Sequence, residues 1–384
     1  MKVVIAPDSF KGSLSAGEVA DNIAKGVRKV FRAADIQCVP MADGGEGTVR
    51  SLVDSTRGEI VNVRVKGPIL KEVDAFYGIL GDGTTAVIEM AAASGLPLLG
   101  GDERNPMKTT TYGTGELIKH ALDKGCRNII IGLGGSATND GGAGMIKALG
   151  ARLLDKEGND TGYGGGSLAD IAAIDLGGMD ERLKGCRIVA ACDVDNPLTG
   201  IRGASYVFGP QKGADEAMVQ ILDKNLEHYA EVALKVTGIS IKDHPGAGAA
   251  GGLGGGLLAF LDAELKRGID IVIEAAGLEE KIKDADFVIT GEGMMDYQTQ
   301  YGKTPYGVAQ VARKYGIPVI AIVGSIGRNA EVLYDLGFCG IFSIIDRPLN
   351  LAEAMSGCAG LLERTSESIM RMVKAINNPF RDIM

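Results

Sequence analysis

Glycine is the feature that most constrains this chain, because it makes up 57 of the 384 residues, about twice the usual ~7% of soluble proteins. The glycines follow no three-residue period, which excludes a collagen triple helix. They gather instead in loops that also carry small hydroxyl and acidic residues and that follow short apolar runs. We therefore expect backbone freedom to be concentrated at the ends of strands, where open α/β sheets bind ligands.

Strand-like and helix-like segments alternate along the chain. The run Val3-Val4-Ile5 precedes a segment that opens with a capping box, Ser15 and Glu18. The same order recurs after the apolar runs 128–131, 287–289, 318–323 and 341–344. This alternation predicts an α/β fold, a Rossmann-like three-layer domain with a parallel sheet and helices on both faces.

The length exceeds what one hydrophobic core usually supports, so two domains are expected. Between about Glu59 and Met90 the sequence changes to alternating strands with glycine breaks, which indicates a second α/β domain inserted in the first. The expected Rossmann-like domain is discontinuous and comprises residues 1–62, 100–150 and 270–384. The expected inserted domain, of mixed α/β structure, comprises residues 63–99 and 151–269.

Composition excludes several classes of function. Lys and Arg number 40 against 49 Asp and Glu, and the net charge of −9 argues against binding to a nucleic-acid backbone. No apolar run approaches the ~20 residues of a membrane helix, and the first residues lack the pattern of an export signal. We therefore expect a protein of the cytoplasm without nucleic-acid or membrane partners. The six cysteines are scattered and predict neither a zinc site nor a disulfide framework.

The densest glycine loop, residues 134–144, lies between the predicted strand at 128–131 and a helical segment. Bare backbone N–H groups at a helix N-terminus can hold an anion such as a phosphate. The alternative is a tight turn with close packing of the strand against the helix. The candidates for contact with nucleotide phosphates in this loop are Gly134, Gly135, Ser136, Asn139 and Asp140.

A second glycine loop, residues 245–256, runs directly into a helical segment. Gly248, Gly251 and Gly252 are candidates for a second anion-binding turn or for a backbone seat beneath a nucleotide. Packing of small residues in a helix explains the same pattern equally well, and the sequence leaves both open. Neither glycine loop matches the P-loop motif, and a G-x-G-x-x-G match at 246–251 lacks a strand just before it.

Acidic residues lie within several of these loops, where a turn needs only Asn or Gly. A Mg²⁺–phosphate complex is held by one or two carboxylates together with phosphate oxygens. Each acid taken alone is explained by a helix cap or an Asx turn, but the repetition over several loops favours metal or base chemistry. The acids concerned are Asp8, Asp43, Glu46, Asp140, Asp193, Glu292 and Asp296, of which Asp43, Glu292 and Asp296 are the metal candidates.

Three lysines, Lys11, Lys212 and Lys303, lie in the same kind of loop. In a chain with excess negative charge, cations beside glycine and small hydroxyl residues indicate pockets for carboxylates or phosphates. Solvated surface lysines are the alternative. Taken together, the loops predict an α/β enzyme that moves phosphate groups between small anionic molecules with a divalent metal. The residues do not name the acceptor.

Read together, the loops resemble those of the bacterial two-domain glycerate kinases, the class I glycerate 2-kinases. The segments that carry the resemblance are 6–15 (APDSFKGSLS), 42–48 (ADGGEGT), 134–144 (GGSATNDGGAG), 193–198 (DVDNPL), 208–214 (FGPQKGA) and 246–256 (GAGAAGGLGGG). The resemblance implies phosphorylation of D-glycerate by ATP with Mg²⁺, most often at the 2-hydroxyl, in a cleft between a Rossmann-like domain and an inserted domain. Similar proteins usually have Arg and an aliphatic residue before the acid of the Gly-Glu-Gly loop, whereas this chain has Met294 and Met295.

Roles for individual residues follow as hypotheses. Asp193 is the first choice for the base that accepts the proton of the glycerate hydroxyl, because the apolar run 188–192 would hold it at a rigid strand end, and Asp296 is the second choice. Asp8 and Asp43 are expected to bind metal or orient the substrate. The remaining assignments are Ser9, Lys11 and Lys212 for the glycerate carboxylate or the transferred phosphate, and Lys303 for the nucleotide.

Two other interpretations stay open. One is a kinase that acts on another small hydroxy acid or yields 3-phosphoglycerate, and the other is a non-catalytic sensor of sugar acids. The sequence does not decide the oligomeric state, for which a homodimer is one option.

Overall fold

The computed structural model describes residues 1–45 and 47–377. It divides into two compact units. The terminal unit comprises Met1–Asp43, Asp54–Thr56 and the chain from Ile269 onward, and the inserted unit comprises Gly44–Val53 and Arg57–Gly268. The predicted α/β class, with parallel sheets and an inserted second domain, is confirmed. Glu46, one of the acids singled out from the sequence, lies outside the described residues.

The bounds of the units differ from the predicted bounds, chiefly for residues 100–150. The sequence predicts these residues in the Rossmann-like domain, but they belong to the inserted unit. The reason is that the strand Asn128–Gly132 pairs in parallel with Thr85–Glu89 on one side and with Arg187–Ala191 on the other. A strand rich in isoleucine suits the interior of any parallel sheet, so its sequence does not reveal which sheet it joins.

The strands and helices are numbered along the chain. The strands are β1 (Lys2–Ile5), β2 (Asp35–Cys38), β3 (Glu59–Lys66), β4 (Glu72–Ile79), β5 (Thr85–Glu89), β6 (Asn128–Gly132), β7 (Arg152–Leu154), β8 (Ala173–Asp175), β9 (Arg187–Ala191), β10 (Glu264–Lys266), β11 (Phe287–Thr290), β12 (Met294–Met295), β13 (Val319–Val323), β14 (Ser325–Ile326) and β15 (Phe338–Ser343). The α-helices are α1 (Ala16–Val30), α2 (Thr48–Thr56), α3 (Ala91–Ser94), α4 (Tyr112–Asp123), α5 (Ala143–Ala148), α6 (Ala204–Phe208), α7 (Glu216–Thr237), α8 (Ala249–Leu261), α9 (Gly268–Ala275), α10 (Leu278–Ile282), α11 (Thr304–Lys314), α12 (Leu351–Ser356) and α13 (Cys358–Asn377). Short 3-10 helices span Leu96–Leu98, Gly101–Glu103, Gly165–Asp170, Glu181–Gly185, Pro210–Lys212, Tyr297–Tyr301 and Ala330–Leu336.

The main sheet of the terminal unit has five parallel strands in the order β15-β13-β11-β1-β2. Val3, Ile5 and Ile289 pack on one face of this sheet with α1 and α13, and α11 contacts β11 and β13. The chain passes from β1 to β2 on one side and returns to β11 on the other side. The border between β1 and β11 is therefore the topological switch point, where open α/β sheets bind ligands.

The main sheet of the inserted unit has six strands in the order β10-β9-β6-β5-β4-β3. The first four are parallel, and the hairpin of β3 and β4 continues the sheet in antiparallel pairing. Buried aliphatic side chains such as Ile88, Ile131 and Leu253 form its core. Because β5, β6 and β9 are parallel, the residues that follow them lie at one edge of the sheet. Within the described residues, no helix combines the length and the apolar character that a membrane span requires.

Helix α1 begins at the predicted capping box, in which the Glu18 amide donates to Ser15 Oγ at 3.3 Å and the Ser15 amide donates to the Glu18 carboxylate at 2.8 Å. Further along, α1 lies against α13 at Gly26. A Cβ at Gly26 would lie 2.3 Å from Ser366 Oγ and 2.4 Å from the Glu363 carbonyl oxygen. The distance between these two helices is therefore set by a glycine.

Replacing Gly26 with Ala should destabilise the protein. The added methyl group meets backbone atoms of α13, and overpacking of this kind costs roughly 1–3 kcal/mol, which exceeds the helix propensity gained from alanine. Gly17→Ala on the same helix is the matched control, because its Cβ would lie 3.4 Å from Asp54 Oδ2, an ordinary contact. Urea denaturation should show a loss for Gly26→Ala and little change or a small gain for Gly17→Ala. Equal stability of the two variants would contradict the close approach.

Candidate functional site

Two acidic residues lie at the switch point of the terminal sheet. Asp8 follows β1 and Glu292 follows β11, and the backbone pairing continues past both strands, since the Asp8 amide donates to the Gly291 carbonyl at 2.8 Å. The two acids therefore lie on neighbouring chain segments at the carboxyl edge of the sheet. The sequence singled out both as acids that follow strands, and the structure confirms that position.

The surroundings of both carboxylates are largely buried and contain hydroxyl donors. Thr304 Oγ1 donates to Asp8 Oδ2 at 2.6 Å, and Thr299 Oγ1 donates to Glu292 Oε1 at 2.7 Å. Lys303 Nζ lies 3.4 Å from the second oxygen of Glu292. These partners orient the carboxylates and leave each one able to carry a charge.

Burial shifts the titration of both acids. Loss of hydration raises the pKa of Asp8 to about 6, with the nearby charge of Asp43 acting in the same direction and the hydrogen bond from Thr304 opposing it. Burial likewise raises the pKa of Glu292 to about 7, against the hydrogen bond from Thr299 and the charge of Lys303, and the charge of Asp8 adds to the rise. An added cation would favour the ionised form of both acids and would offset the loss of hydration.

The three predicted metal ligands have different surroundings. Glu292 belongs to the buried pair, and Asp43 is exposed and acts on Asp8 through its charge. Asp296 caps the 3-10 helix Tyr297–Tyr301, where its side chain accepts from the Gln298 amide at 2.9 Å. In the described part of the chain, no three or more His, Cys, Asp and Glu side chains come together as a metal cluster. A metal at this edge would therefore depend on oxygen atoms from a substrate as well.

In the loop 134–144 of the inserted unit, backbone amides that could bind a phosphate donate to the carboxylate of Asp140 instead. Asp140 is fully buried and accepts from the Gly142 and Gly144 amides at 3.3 and 3.2 Å, at the start of α5. It also accepts from the Thr111 amide at 2.8 Å and from the hydroxyls of Thr110 and Thr111. Burial raises the pKa of Asp140 despite these donors. The first amides of α5 are thus paired with a carboxyl group of the chain itself, and contact of Asp140 with a nucleotide stays a prediction.

The rest of that loop divides into exposed and buried parts. Gly134 and Gly135 are exposed, whereas Ser136 and Asn139 are buried. The side-chain Nδ2 of Asn139 donates to Ser205 Oγ at 3.0 Å. The part of the loop that a nucleotide could reach in this structure is therefore the glycine pair, and contact of the buried members with a nucleotide stays a prediction.

Lys212 is 1% exposed, so in this structure it has no surface on which a substrate could bind. Its ammonium group donates to the Thr138 carbonyl at 2.7 Å, and burial lowers its pKa to about 7. In this structure Lys212 is bonded to the loop 134–144 from within, and its direct contact with a substrate stays a prediction. The glycine and proline residues around Lys212 are typical of an exposed turn. The side chain of Lys212 is buried instead by packing against distant segments, which the local sequence does not encode.

The second glycine loop is buried, and packing accounts for its composition. A Cβ at Gly251 would lie 1.9 Å from the Thr138 carbonyl oxygen, and one at Gly248 would lie 2.2 Å from the Pro197 carbonyl oxygen. Gly251 and Gly252 also have φ angles of +70° and +89°, which residues other than glycine rarely adopt. Of the two interpretations left open by the sequence, close packing explains these glycines, and their contact with a nucleotide stays a prediction.

Asp193 follows β9 at the carboxyl edge of the inserted sheet and is exposed. Its carboxylate accepts from the Gly268 amide at 3.0 Å. Because Ala191 of β9 pairs with Gly132 of β6, Asp193 and the exposed Gly134–Gly135 pair follow neighbouring strands. An exposed carboxylate held by a backbone amide at a strand end is a suitable general base.

The remaining predicted residues of the terminal unit are Ser9, Lys11 and Lys303. The Ser9 amide donates to Asp8 Oδ1 at 2.6 Å, Lys11 is exposed two residues later, and Lys303 is paired with Glu292. The structure thus brings the cations of two loops to the edge that carries the acid pair. Met294, which follows Gly293 in the same loop as Glu292, is 52% exposed.

Sequence reasoning missed three residues at these edges. Thr299 donates to Glu292 and Thr304 donates to Asp8, and a signal was present, since both threonines lie within four residues of Lys303. Glu89 ends β5 and accepts from the Val49 amide at 3.0 Å. The rule that selected Asp193, an acid at the end of an apolar strand, would also have found Glu89.

Replacing Glu292 with Gln should change how stability depends on pH. In the wild-type protein the folded state binds the Glu292 proton more tightly than the unfolded state, because the pKa rises from 4.5 to about 7 on folding. The wild-type free energy of unfolding should therefore fall relative to that of the variant between about pH 5 and pH 8, by on the order of 2 kcal/mol. Urea denaturation at both pH values measures the difference.

Glu279→Gln is the matched control, because hydrogen bonds from Tyr315 and Lys314 lower the pKa of Glu279. That carboxylate is ionised throughout the range in both states, so the difference between wild type and this variant should stay constant. A constant difference for Glu292→Gln as well would show that Glu292 is not desolvated.

Comparison with known proteins identifies relatives over nearly the whole chain. The model of the glycerate kinase family matches residues 3–374. The glycerate kinase of Bacillus subtilis (strain 168) is 55% identical over 380 residues, which cover 99% of this chain and 100% of the relative. The glycerate 2-kinase of Escherichia coli (strain K12) is 55% identical over 369 residues, or 96% of this chain and 97% of the relative.

The fold is also matched by a solved structure. A crystal structure of a Salmonella typhimurium LT2 protein, provisionally assigned as glycerate kinase 2, has a TM-score of 0.92 and 51% sequence identity, and the match covers 98% of this chain and 99% of that chain. Both the sequence and the fold therefore agree with the family model over nearly the full length. The chain belongs to the glycerate kinase family.

Proposed function

We propose that the protein transfers the γ-phosphoryl group of ATP to the 2-hydroxyl of D-glycerate and releases 2-phosphoglycerate and ADP. The observation that carries this proposal is the pair of carboxylates Asp8 and Glu292, which follow neighbouring parallel strands at the switch point, in a chain of the glycerate kinase family. The choice of the 2-hydroxyl is supported by the name of the Escherichia coli relative, a glycerate 2-kinase. Use of ATP is what a kinase family implies.

Mg²⁺ fits the acid pair. Mg²⁺ is usually held by one or two carboxylates together with phosphate oxygens and water, and Asp8 and Glu292 supply two carboxylate groups whose raised pKa values a cation would lower. Asp43, the third acid acting on this edge, adds to the negative field. When bound, the ion would neutralise charge on the transferred phosphoryl group.

Asp193 is the proposed general base. It is exposed, follows a buried strand and is held by the Gly268 amide, so it can accept the hydroxyl proton of glycerate as the new P–O bond forms. Asp296 stays the second choice, because its side chain is half-buried and caps the 3-10 helix Tyr297–Tyr301, whereas Asp193 is exposed and follows β9.

The cations and bare amides have electrostatic roles. Lys11, Ser9 and Lys303 are proposed to stabilise phosphate or carboxylate oxygens beside the acid pair, and Gly134 and Gly135 offer exposed backbone in the inserted unit. Phosphoryl transfer depends mainly on positioning and charge stabilisation, which these groups are proposed to supply. An active site in a cleft between the domains, a cytoplasmic location and a homodimer stay predictions.

Asp193→Asn should lower kcat by several orders of magnitude and leave the KM for ATP nearly unchanged, because the variant keeps its shape but cannot accept a proton. The rate of ADP release at varied ATP concentration, with D-glycerate and Mg²⁺ present, gives both kcat and the KM for ATP. Asp195→Asn is the matched control, since Asp195 lies in the same loop, is exposed and pairs with Arg202 at 3.2 Å. It should retain most of the activity.

The same assay with L-glycerate, tartronate, glycerol and acetate shows which acceptor the enzyme uses. Release that depends on D-glycerate supports the proposed reaction, whereas a preference for tartronate would assign the enzyme to another hydroxy acid. An Asp193→Asn variant that keeps most of its kcat would move the base to another residue. If no acceptor gave ADP release, the proposal that this protein is a kinase would be contradicted.

A further inference from the structure

The terminal unit contains a cavity of about 700 Å³ next to the acid pair. Residues that follow four neighbouring strands line it, namely those after β1, β11, β13 and β15, and α12 closes one side. A volume of this size lies within the usual range of about 300–1,000 Å³ for small-molecule sites. The cavity also lies at the carboxyl edge of a parallel sheet, where ligands bind in this class of fold.

The lining is mainly apolar and partly exposed. Its apolar side chains include Met294, Ile344, Ile345, Leu349, Leu351 and Met355. Three of them are large and exposed, with Met294 at 52%, Ile345 at 38% and Leu351 at 76%. Exposed apolar side chains gathered around one concavity indicate a binding surface rather than scattered surface residues.

The cavity leads to charged groups on one side. Lys11 lines it, three residues after Asp8, and Gly293 lines it next to Glu292. A Cβ at Gly293 would lie 3.7 Å from the Lys11 amide nitrogen, so the two loops that carry the acids are in close approach there. A ligand with a flat apolar part and an anionic part fits this distribution of groups.

We propose that this cavity binds the purine base of the nucleotide, with the phosphates extending past Lys11 toward Asp8 and Glu292. The inference rests on the proposed function for the identity of the nucleotide. A three-carbon hydroxy acid needs polar and charged partners, but the charged side chain of the lining is Lys11 alone, and Ser13, Ser325 and Asn350 are its other polar side chains. So small a molecule would also leave most of the volume empty. A base between Met and Ile side chains buries its faces without any requirement for charge.

A tryptophan reporter tests this assignment directly, because the chain contains no Trp. Ile345→Trp places one fluorophore in the cavity lining. Adenosine and ADP should change its emission in a saturable way, and inorganic triphosphate should not. The control is Met372→Trp on α13, a 48% exposed position outside the lining, and its emission should not respond. A saturable response of Ile345→Trp to D-glycerate but not to adenosine would overturn the assignment.

A cavity-filling variant gives an independent test. Ala354→Trp on α12 fills the space, and we expect the KM for ATP to rise by about tenfold or more while the KM for D-glycerate changes less than about twofold. Ala352→Trp, exposed on the same helix and outside the lining, is the matched control and should match the wild type. Thermal denaturation followed by circular dichroism verifies folding.

The outcomes separate the two proposals. A folded Ala354→Trp variant with an unchanged KM for ATP would overturn the base site and leave the kinase reaction intact. A wild-type protein that releases no ADP with D-glycerate, while Ile345→Trp still responds to adenosine, would contradict the proposed function and support the base site.

Discussion

The desolvation of two neighbouring carboxylates, Asp8 and Glu292, is the constraint on which the functional account depends. Parallel pairing of β1 with β11 brings both to one edge of the sheet. Burial there makes a full negative charge on each unfavourable, and hydroxyl groups and Lys303 offset only part of that cost. A divalent cation with its phosphate ligands would supply the missing positive charge. The topology of the sheet thus places two desolvated carboxylates where the proposed metal–nucleotide complex would add positive charge.

In the inserted unit, backbone amides at the start of a helix are paired with a carboxyl group of the chain itself. The amides at the start of α5 bond to Asp140, which Thr110 and Thr111 also hold, and Lys212 fixes the same loop through the Thr138 carbonyl. The glycines of 248–252 allow α8 to approach this loop, since a Cβ at Gly251 would overlap the Thr138 carbonyl. The result is a rigid loop whose exposed part is the pair Gly134–Gly135. Asp193, at the end of the neighbouring strand, shares that edge of the sheet.

The parts of the structure that local sequence encodes could be predicted. The alternation of strands and helices, the capping box of Ser15 and Glu18 and the position of Asp8, Asp193 and Glu292 after strands depend on residues close together in the chain. The assignment of β6 to a sheet depends on pairing between distant segments, so residues 100–150 were placed in the wrong domain. The burial of Asp140 and Lys212 depends on Thr111 and Thr138, partners that their own loops do not specify. The cavity of the terminal unit is formed by residues after four separate strands, and no single motif could reveal it.

Proton-coupled phosphorus NMR of the purified protein with D-glycerate, ATP and Mg²⁺ measures both the transfer and its position. We expect loss of the γ-phosphate resonance of ATP and growth of a phosphomonoester signal split into a doublet, because the 2-phosphate is attached to a carbon that carries a single hydrogen. A triplet would identify transfer to the 3-hydroxyl and contradict the proposed position. Growth of inorganic phosphate alone, or no change in the ATP resonances, would contradict the proposal that this chain phosphorylates glycerate.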